Sequence, residues 1–151
     1  MLTFMTQLRI SEAAALMGVS DDTVRRWVER GDLTAHADAA GRKTVDGAEL
    51  ARLAQARAAG NAAARSARAT GSGAAGSGAA GDDAPVSARN SFRGLVTAVH
   101  SDPVMSQVDL QCGPFRVVSL VSTEAVRELG LEPGSLATAR VKATNVVLET
   151  P

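Results

Sequence analysis

Cysteine is nearly missing from this chain, and neither sign of charge is in excess. The one cysteine, Cys112, rules out an intramolecular disulfide and cannot by itself hold zinc, and the two histidines, His36 and His100, lie far apart in sequence. Such usage suits a reducing compartment, so a cytoplasmic location is expected. Lys and Arg together number 16, and so do Asp and Glu. Affinity for nucleic acid must therefore come from a local arrangement of basic residues and not from bulk charge. A basic stretch followed by a long apolar run is lacking at the start, and nowhere do roughly 18 apolar residues follow one another, so neither export nor membrane insertion is expected. Aromatic residues are scarce at 3 %, and only Phe92 and Phe115 fall in the C-terminal half, too few for a base-stacking surface there. No Ser/His/Asp, Cys/His or paired-carboxylate constellation is suggested, which argues against an enzyme.

What the chain has in plenty sits in its middle. Residues 61–86 read NAAARSARATGSGAAGSGAAGDDAPV, a stretch without a bulky apolar residue before Val86. It cannot bury enough surface to offset chain entropy, and Gly71 to Ala84 reads as a flexible tether. The Ala/Arg run ahead of it either extends the preceding helix or yields to an earlier stop at Gly60-Asn61. The repeated glycines do not make a phosphate-cradling loop, since no strand precedes them and no Gly-Lys-Ser/Thr follows. The expected organisation is a folded unit over residues 1–60, a linker over 61–85 and a second unit over 86–151. Units of that size have marginal single cores, so oligomerisation of at least one is expected.

In the first unit, Ser11 and Glu12 have the order of a helix cap and first turn, and Gly18 closes the short helix. The pattern then restarts, with Ser20 as cap, Asp21 and Asp22 in the first turn and Gly31 at the end, giving a helix-turn-helix. At about 100° per residue, Val24, Trp27 and Val28 share one face of the second helix, while Asp22, Arg25, Arg26, Glu29 and Arg30 share the other. The first face packs; the second is free to meet phosphates and base edges, for which the planar fork of arginine is well shaped. Residues 32–45 read as a hairpin with a basic return strand, Arg42-Lys43-Thr44-Val45, a candidate wing. Asp46 and Glu49 stand at capping-box spacing ahead of a helix with Leu50, Leu53 and Ala54 on its apolar face.

The run LRISEAAALMGVSDDTVRRWVERGDL, followed by the Gly41-Arg42-Lys43 wing and the capped DGAEL helix, resembles the MerR-type and excisionase-like DNA-binding domains. The resemblance implies that the second helix enters the major groove of double-stranded DNA and that the wing meets the backbone. By position it implicates Thr23, Arg25, Arg26, Arg42 and Lys43. Many relatives have Gly-His-Arg where this chain has Gly-Arg-Lys, so the details of the wing contact differ.

The second unit has the texture of short strands at Phe92 to His100, Val104 to Leu110 and Phe115 to Val121, with turns at Ser101-Asp102-Pro103 and Cys112-Gly113-Pro114. A short helix starting at Ser122 or Thr123 and ending at Gly130 follows, then strands at Leu136 to Lys142 and Val146 to Glu149. Five strands and one helix predict a small OB-like β-barrel, so that the fold class is α+β in two domains. The segments SARNSFRGLVTAVH, LVSTEAVRELGLEPGS and ARVKATNVVLE resemble the Mop, or TOBE, domain of molybdenum-pterin-binding proteins and molybdate-responsive regulators.

A doubly charged tetrahedral oxyanion needs converging donors and no nearby acceptor, which Ser, Thr, Asn and backbone N–H groups supply and a lysine reinforces. Ser87, Ala88, Arg89 and Asn90, with Lys142, Ala143, Thr144 and Asn145, match the stretches that line oxyanion sites in the family. Ser122 and Thr123 are weaker candidates, because helix capping explains them equally well. The resemblance thus implies molybdate or tungstate as ligand, held at interfaces between barrels of a homo-oligomer. Cys112 is not expected as a ligand, since hard oxyanions are held by hydrogen bonds. The expected function is a molybdate-responsive transcription regulator; the alternative is an intracellular molybdate storage or homeostasis protein, favoured by the low net basicity. A flexible tether would transmit geometry poorly between the units, so effects through oligomer state or avidity are expected over a rigid lever.

Overall fold

A computed structural model of the chain describes residues 6–65 and 88–150; the expected tether of Gly71 to Ala84, and Ser87, lie outside the described residues. The first unit runs β1 (Gln7–Arg9), α1 (Ile10–Met17), α2 (Asp21–Glu29), β2 (Ala35–Ala37), β3 (Lys43–Asp46) and α3 (Gly47–Arg65). Its three strands form an antiparallel sheet with β3 in the centre. The helix-turn-helix is made by local chemistry. Gly18 takes the left-handed conformation, φ +66°, that ends α1, and the Ser20 hydroxyl accepts the Thr23 N–H at 3.3 Å to start α2.

Two sequence expectations shift here. Ser11 lies inside the first turn of α1 and not at its cap, because the backbone is still in β1 at Arg9, paired with Thr44, and passes straight into the helix. The Glu12 carboxylate reaches back to the Arg9 N–H at 3.0 Å instead. At α3, Asp46 Oδ1 accepts the N–H groups of Ala48 and Glu49 at 2.9 and 3.1 Å, as expected of a cap. Glu49 does not complete the box, since Asp46 is already paired with Gln7 in the β1–β3 ladder. Its carboxylate takes the N–H and hydroxyl of Thr34 at 2.8 and 3.2 Å, fastening the segment before the wing to α3. Of the two stops weighed for α3, the Gly60-Asn61 one is passed over, and the helix continues to Arg65.

The second unit runs β4 (Asn90–Ser101), β5 (Met105–Cys112), β6 (Phe115–Ser122), α4 (Thr123–Glu128) and β7 (Leu136–Val141), followed by a turn of 3₁₀-helix at Ala143–Asn145. The sheet order is β6-β5-β4-β7, antiparallel throughout. This is a four-stranded half-barrel, and it replaces the expected five-stranded closed barrel. Residues Val146 to Glu149 are not a strand. A turn in which the Asn145 N–H meets the Lys142 carbonyl at 2.9 Å ends β7, and no strand pairing resumes after it. Val146, Val147 and Leu148 are left 46, 83 and 89 % exposed.

β4 serves two neighbours in turn. Its first half, Asn90 to Leu95, pairs with β7, and its second half, from Leu95 to Ser101, pairs with β5 in a ladder whose register shifts between Val96 and Ala98. A bulge of this kind bends the strand and lets a sheet begin to curl. The half-barrel core is small: Val96, Val108, Leu110, Cys112 and Val126. The larger core belongs to the helix-turn-helix unit, with Leu8, Val24, Trp27, Leu33, Val45 and Leu50 at its centre.

Leu50 is fully buried there. Leu50→Ala is expected to cost about 2 to 5 kcal/mol, the range for opening a cavity at a packed leucine, whereas Leu148→Ser should leave the stability of the single chain nearly unchanged. Urea unfolding followed by Trp27 fluorescence measures both.

Candidate functional site

On α2 the two faces separate as the helical period requires. Val24 and Trp27 are buried and Val28 is half-buried, while Arg25, Arg26, Glu29 and Arg30 are exposed. The Arg57 guanidinium of α3 lies 4.7 Å from the centre of the Trp27 ring, closing the core over a cation–π contact. The exposed cations are not equally free. Arg25 pairs with Asp22 at 3.0 Å and Arg30 with Asp32 at 3.1 Å, whereas Arg26 makes no ion pair among the described residues. Thr23 is turned to local work, its hydroxyl 3.0 Å from that of Ser20.

The wing is the β2–β3 hairpin, and its turn is built on Asp38. That carboxylate accepts the N–H groups of Ala40 and Arg42 at 2.8 and 2.9 Å and the Arg42 Nε at 3.0 Å. The Arg42 N–H, with the Ala40 N–H and the Arg42 guanidinium behind it, holds the Asp38 carboxyl below its ordinary 3.8 against opposing desolvation. Arg42 is therefore part of the turn's own structure. Lys43 makes no ion pair among the described residues. Lys43 and Arg25 line one small cleft with Ile10, Val28 and Glu29, so helix and wing present their cations side by side.

In the half-barrel, Asn90 faces Val141 across the β4–β7 ladder and donates Nδ2–H to its carbonyl at 3.2 Å. Arg89 and Lys142 are the next residues beyond that pair. Because strand side chains alternate between faces, Arg89, Ser91 and Arg93 of the β4 segment share a face with Thr138, Arg140 and Lys142 of the β7 segment, where Ser91 is opposite Arg140 and Arg93 opposite Thr138. All six are exposed, and no carboxylate occurs in residues 88–93 or 138–145. Clustered cations and hydroxyls without an acidic neighbour fit a dianionic oxyanion, which they would hold by charge-assisted hydrogen bonds.

The structure brings Ala88, Arg89 and Asn90 to one end of the sheet with Lys142, Ala143, Thr144 and Asn145. It adds Ser91, Arg93 and Arg140, which sequence reasoning missed although their period-2 spacing from Arg89 and Lys142 carries the signal. Ser122 and Thr123 lie at the far end of the sheet, where Ser122 is opposite Met105. There the Ser122 hydroxyl caps α4 through the Ala125 N–H at 3.1 Å, and the buried Thr123 hydroxyl donates to the Asp102 carbonyl at 2.8 Å. Cys112 is buried, and burial pushes its thiol above the ordinary range, which disfavours the thiolate. Among the described residues no three His, Cys, Asp or Glu gather as metal ligands, and no helix is long and apolar enough to cross a membrane.

The TOBE domain family matches residues 86–148, and a helix-turn-helix domain family matches residues 8–58. Molybdenum-pterin-binding protein 3 of Clostridium pasteurianum is 36 % identical over 64 residues, which are 42 % of this chain and 94 % of that protein. The molybdenum transport protein ModE of Herbaspirillum seropedicae is 40 % identical over 65 residues, 42 % of this chain but 24 % of that longer protein. Among solved structures, MopII of Clostridium pasteurianum is 35 % identical with a TM-score of 0.41, covering 43 % of this chain and 98 % of its own.

The wing turn has a pH signature. With its carboxyl held below 3.8 when folded, Asp38 contributes order that is fully present above that value and is lost as pH falls through the lower folded pKa. Protection of the Ala40 and Arg42 amides relative to their intrinsic exchange rates is expected to fall on acidification into that range, and in Asp38→Asn already near neutrality. Equal protection of both amides in wild type and variant at pH 7 would remove Asp38 as the support of the wing.

Proposed function

The chain belongs to the TOBE-domain family of molybdenum-pterin-binding proteins, and on that footing we propose that it is a molybdate- or tungstate-binding transcription regulator. An oxyanion-binding unit over about residues 86–151 acts together with a DNA-contacting unit over about residues 1–60, in the cytoplasm and without catalytic activity. The observation that carries the reading is the acid-free cationic face of β4 and β7, with Arg89, Arg93, Arg140 and Lys142, in the same chain as a helix-turn-helix whose outer face offers Arg25 and Arg26. Solved and curated relatives of the half-barrel carry molybdate or molybdenum-pterin binding in their names, and a ModE protein shares the segment.

The oxyanion is held by Arg89, Asn90 and the Lys142 to Asn145 turn, with Ser87 completing the opening segment and Ser91 and Arg140 adding a hydroxyl and a charge. Arg and Lys supply the charge; the hydroxyls and backbone N–H groups match the corners of a tetrahedron. Because this face is open in a single chain, the site closes by assembly of a homo-oligomer. The exposed Val146, Val147 and Leu148, apolar and unpaired in one copy, support that assembly. Ser122 and Thr123, engaged in capping α4, enter the site only if a second copy brings them to it.

On DNA, Arg25 and Arg26 meet the major groove and Lys43 the backbone, with Thr23 and Arg42 shaping helix start and wing. The partner is double-stranded DNA bound by paired half-sites, one from each of two chains.

Calorimetric titration with molybdate is expected to show binding weakened roughly tenfold or more in Lys142→Ala and in Arg140→Ala, each losing one charge-assisted contact, while Cys112→Ser binds as wild type. Normal binding by an assembled Lys142→Ala protein would move the oxyanion away from this face. Arg25→Ala combined with Arg26→Ala is expected to abolish binding to a selected operator with the helical signal intact. Wild-type affinity should fall as salt rises, because phosphate contacts release counterions. An unchanged affinity in the double variant would remove α2 as the reading helix.

A further inference from the structure

The core of the helix-turn-helix unit does not end at its own boundary. Leu95 of β4 is fully buried, and the residues it is buried among are those of that unit, with Leu136 of β7 packed against the same cluster. Around this point backbone meets backbone. The Gly113 N–H in the β5–β6 turn donates at 2.8 Å to the carbonyl of Leu16, one of the carbonyls that a helix end leaves without an intrahelical partner. A Cβ on Gly18 would stand 2.4 Å from the Pro114 nitrogen, and one on Gly47 would stand 2.5 Å from the Gly134 carbonyl oxygen. The Gln55 side chain of α3 donates to the Thr97 carbonyl, at the register shift in the β4–β5 ladder.

We infer that the half-barrel is the docking surface for this chain's own helix-turn-helix unit, and that the two unfold as one cooperative body. An oxyanion bound to the barrel then stabilises the DNA-contacting unit that it does not touch. Each contact supplies something the other unit lacks: a donor for an orphan helix carbonyl, a donor for the Thr97 carbonyl at the bend, an apolar bed for Leu95. Contacts in which a single methyl group would collide leave no room for the independent motion that the composition of the middle segment suggests. α2 is thereby held at one angle to the strands that Arg89 and Lys142 flank, since Leu95 and Leu136 lie in those strands. The ligand-linked half of this inference rests on the oxyanion reading above; the docking does not.

Each unit carries one intrinsic probe, since Trp27 is the sole tryptophan and Cys112 the sole cysteine, and both are buried. Urea unfolding of the full chain, followed by Trp27 fluorescence and by pulsed labelling of the Cys112 thiol, is expected to give coincident midpoints. Sodium molybdate at about 100 times its Kd should lower the unfolding equilibrium constant by the same factor, about 100, at both probes. Gly47→Val should part the two midpoints, and Gln55→Ala, which removes one bond across the seam at an otherwise exposed helix position, should part them less. In the native state the Gly113 amide should be protected from exchange to the same degree as β5. Two separate transitions in the wild type, a Gly113 amide exchanging as an open turn, or a Trp27 midpoint that ignores molybdate while that of Cys112 moves would each overturn the inference. If molybdate moves neither midpoint, the oxyanion reading and the linkage built on it fall, while coincidence and Gly113 protection still decide the docking.

Discussion

β4 is twelve residues long, and neither neighbour pairs with all of it. That constraint organises the molecule. The first half is claimed by β7 and the second by β5, with Leu95 shared between them and a bulge at Thr97 within the β5 ladder. One strand therefore begins in the cationic face, passes through the core of the helix-turn-helix unit at Leu95, and ends in the half-barrel. The Thr97 hydroxyl donates to the Asp109 carbonyl at 3.2 Å, and the Thr97 carbonyl is met by Gln55, so the irregularity is satisfied from both sides.

Charge is distributed by the same economy of partners. The chain is balanced overall, yet its acids are spent locally: Asp22 on Arg25, Asp32 on Arg30, Asp38 on Arg42 and Asp109 on Arg116. The exposed pairs among them contribute little stability, the Asp109 pair with its buried carboxylate being the exception, but together they decide which cations face outward with their charge uncompensated. Arg26 and Lys43 at the helix and wing, and the Arg89 to Lys142 face in the second unit, are among the cations left without an ion pair in the described residues. Local fields therefore exist in a molecule whose net charge is zero.

The helix-turn-helix was legible because its determinants are local. Gly18, Ser20 and Gly31 act within one turn of where they stand, and the spacing of Val24 and Trp27 sets the buried face of α2 without reference to anything distant. The same holds for the Asp46 cap and for the four strands of the half-barrel, whose turns carry their own Pro and Gly. The short β1 was missed because three residues, with Leu8 alone buried, leave no period to read. The fifth strand was expected because Val146 to Glu149 has strand composition, and composition cannot say whether a free edge lies beside it.

The candidate site divides along the same line. Arg89, Asn90 and Lys142 were chosen from motifs, but their meeting depends on a register between residues some fifty positions apart, and that register also brought in Ser91, Arg93 and Arg140. Ser122 and Thr123 carry the right hydroxyls and were sent to the other end of the sheet, where α4 and the Asp102 turn use them. By itself the sequence determined the Ser20 and Asp46 caps, the inner and outer faces of α2, the wing and four strands of the half-barrel, since each follows from interactions within a few residues. Only the tertiary structure decided which cations stand together and that Leu95 leaves the half-barrel for the neighbouring core, because both rest on pairing and close packing between segments that no local pattern connects.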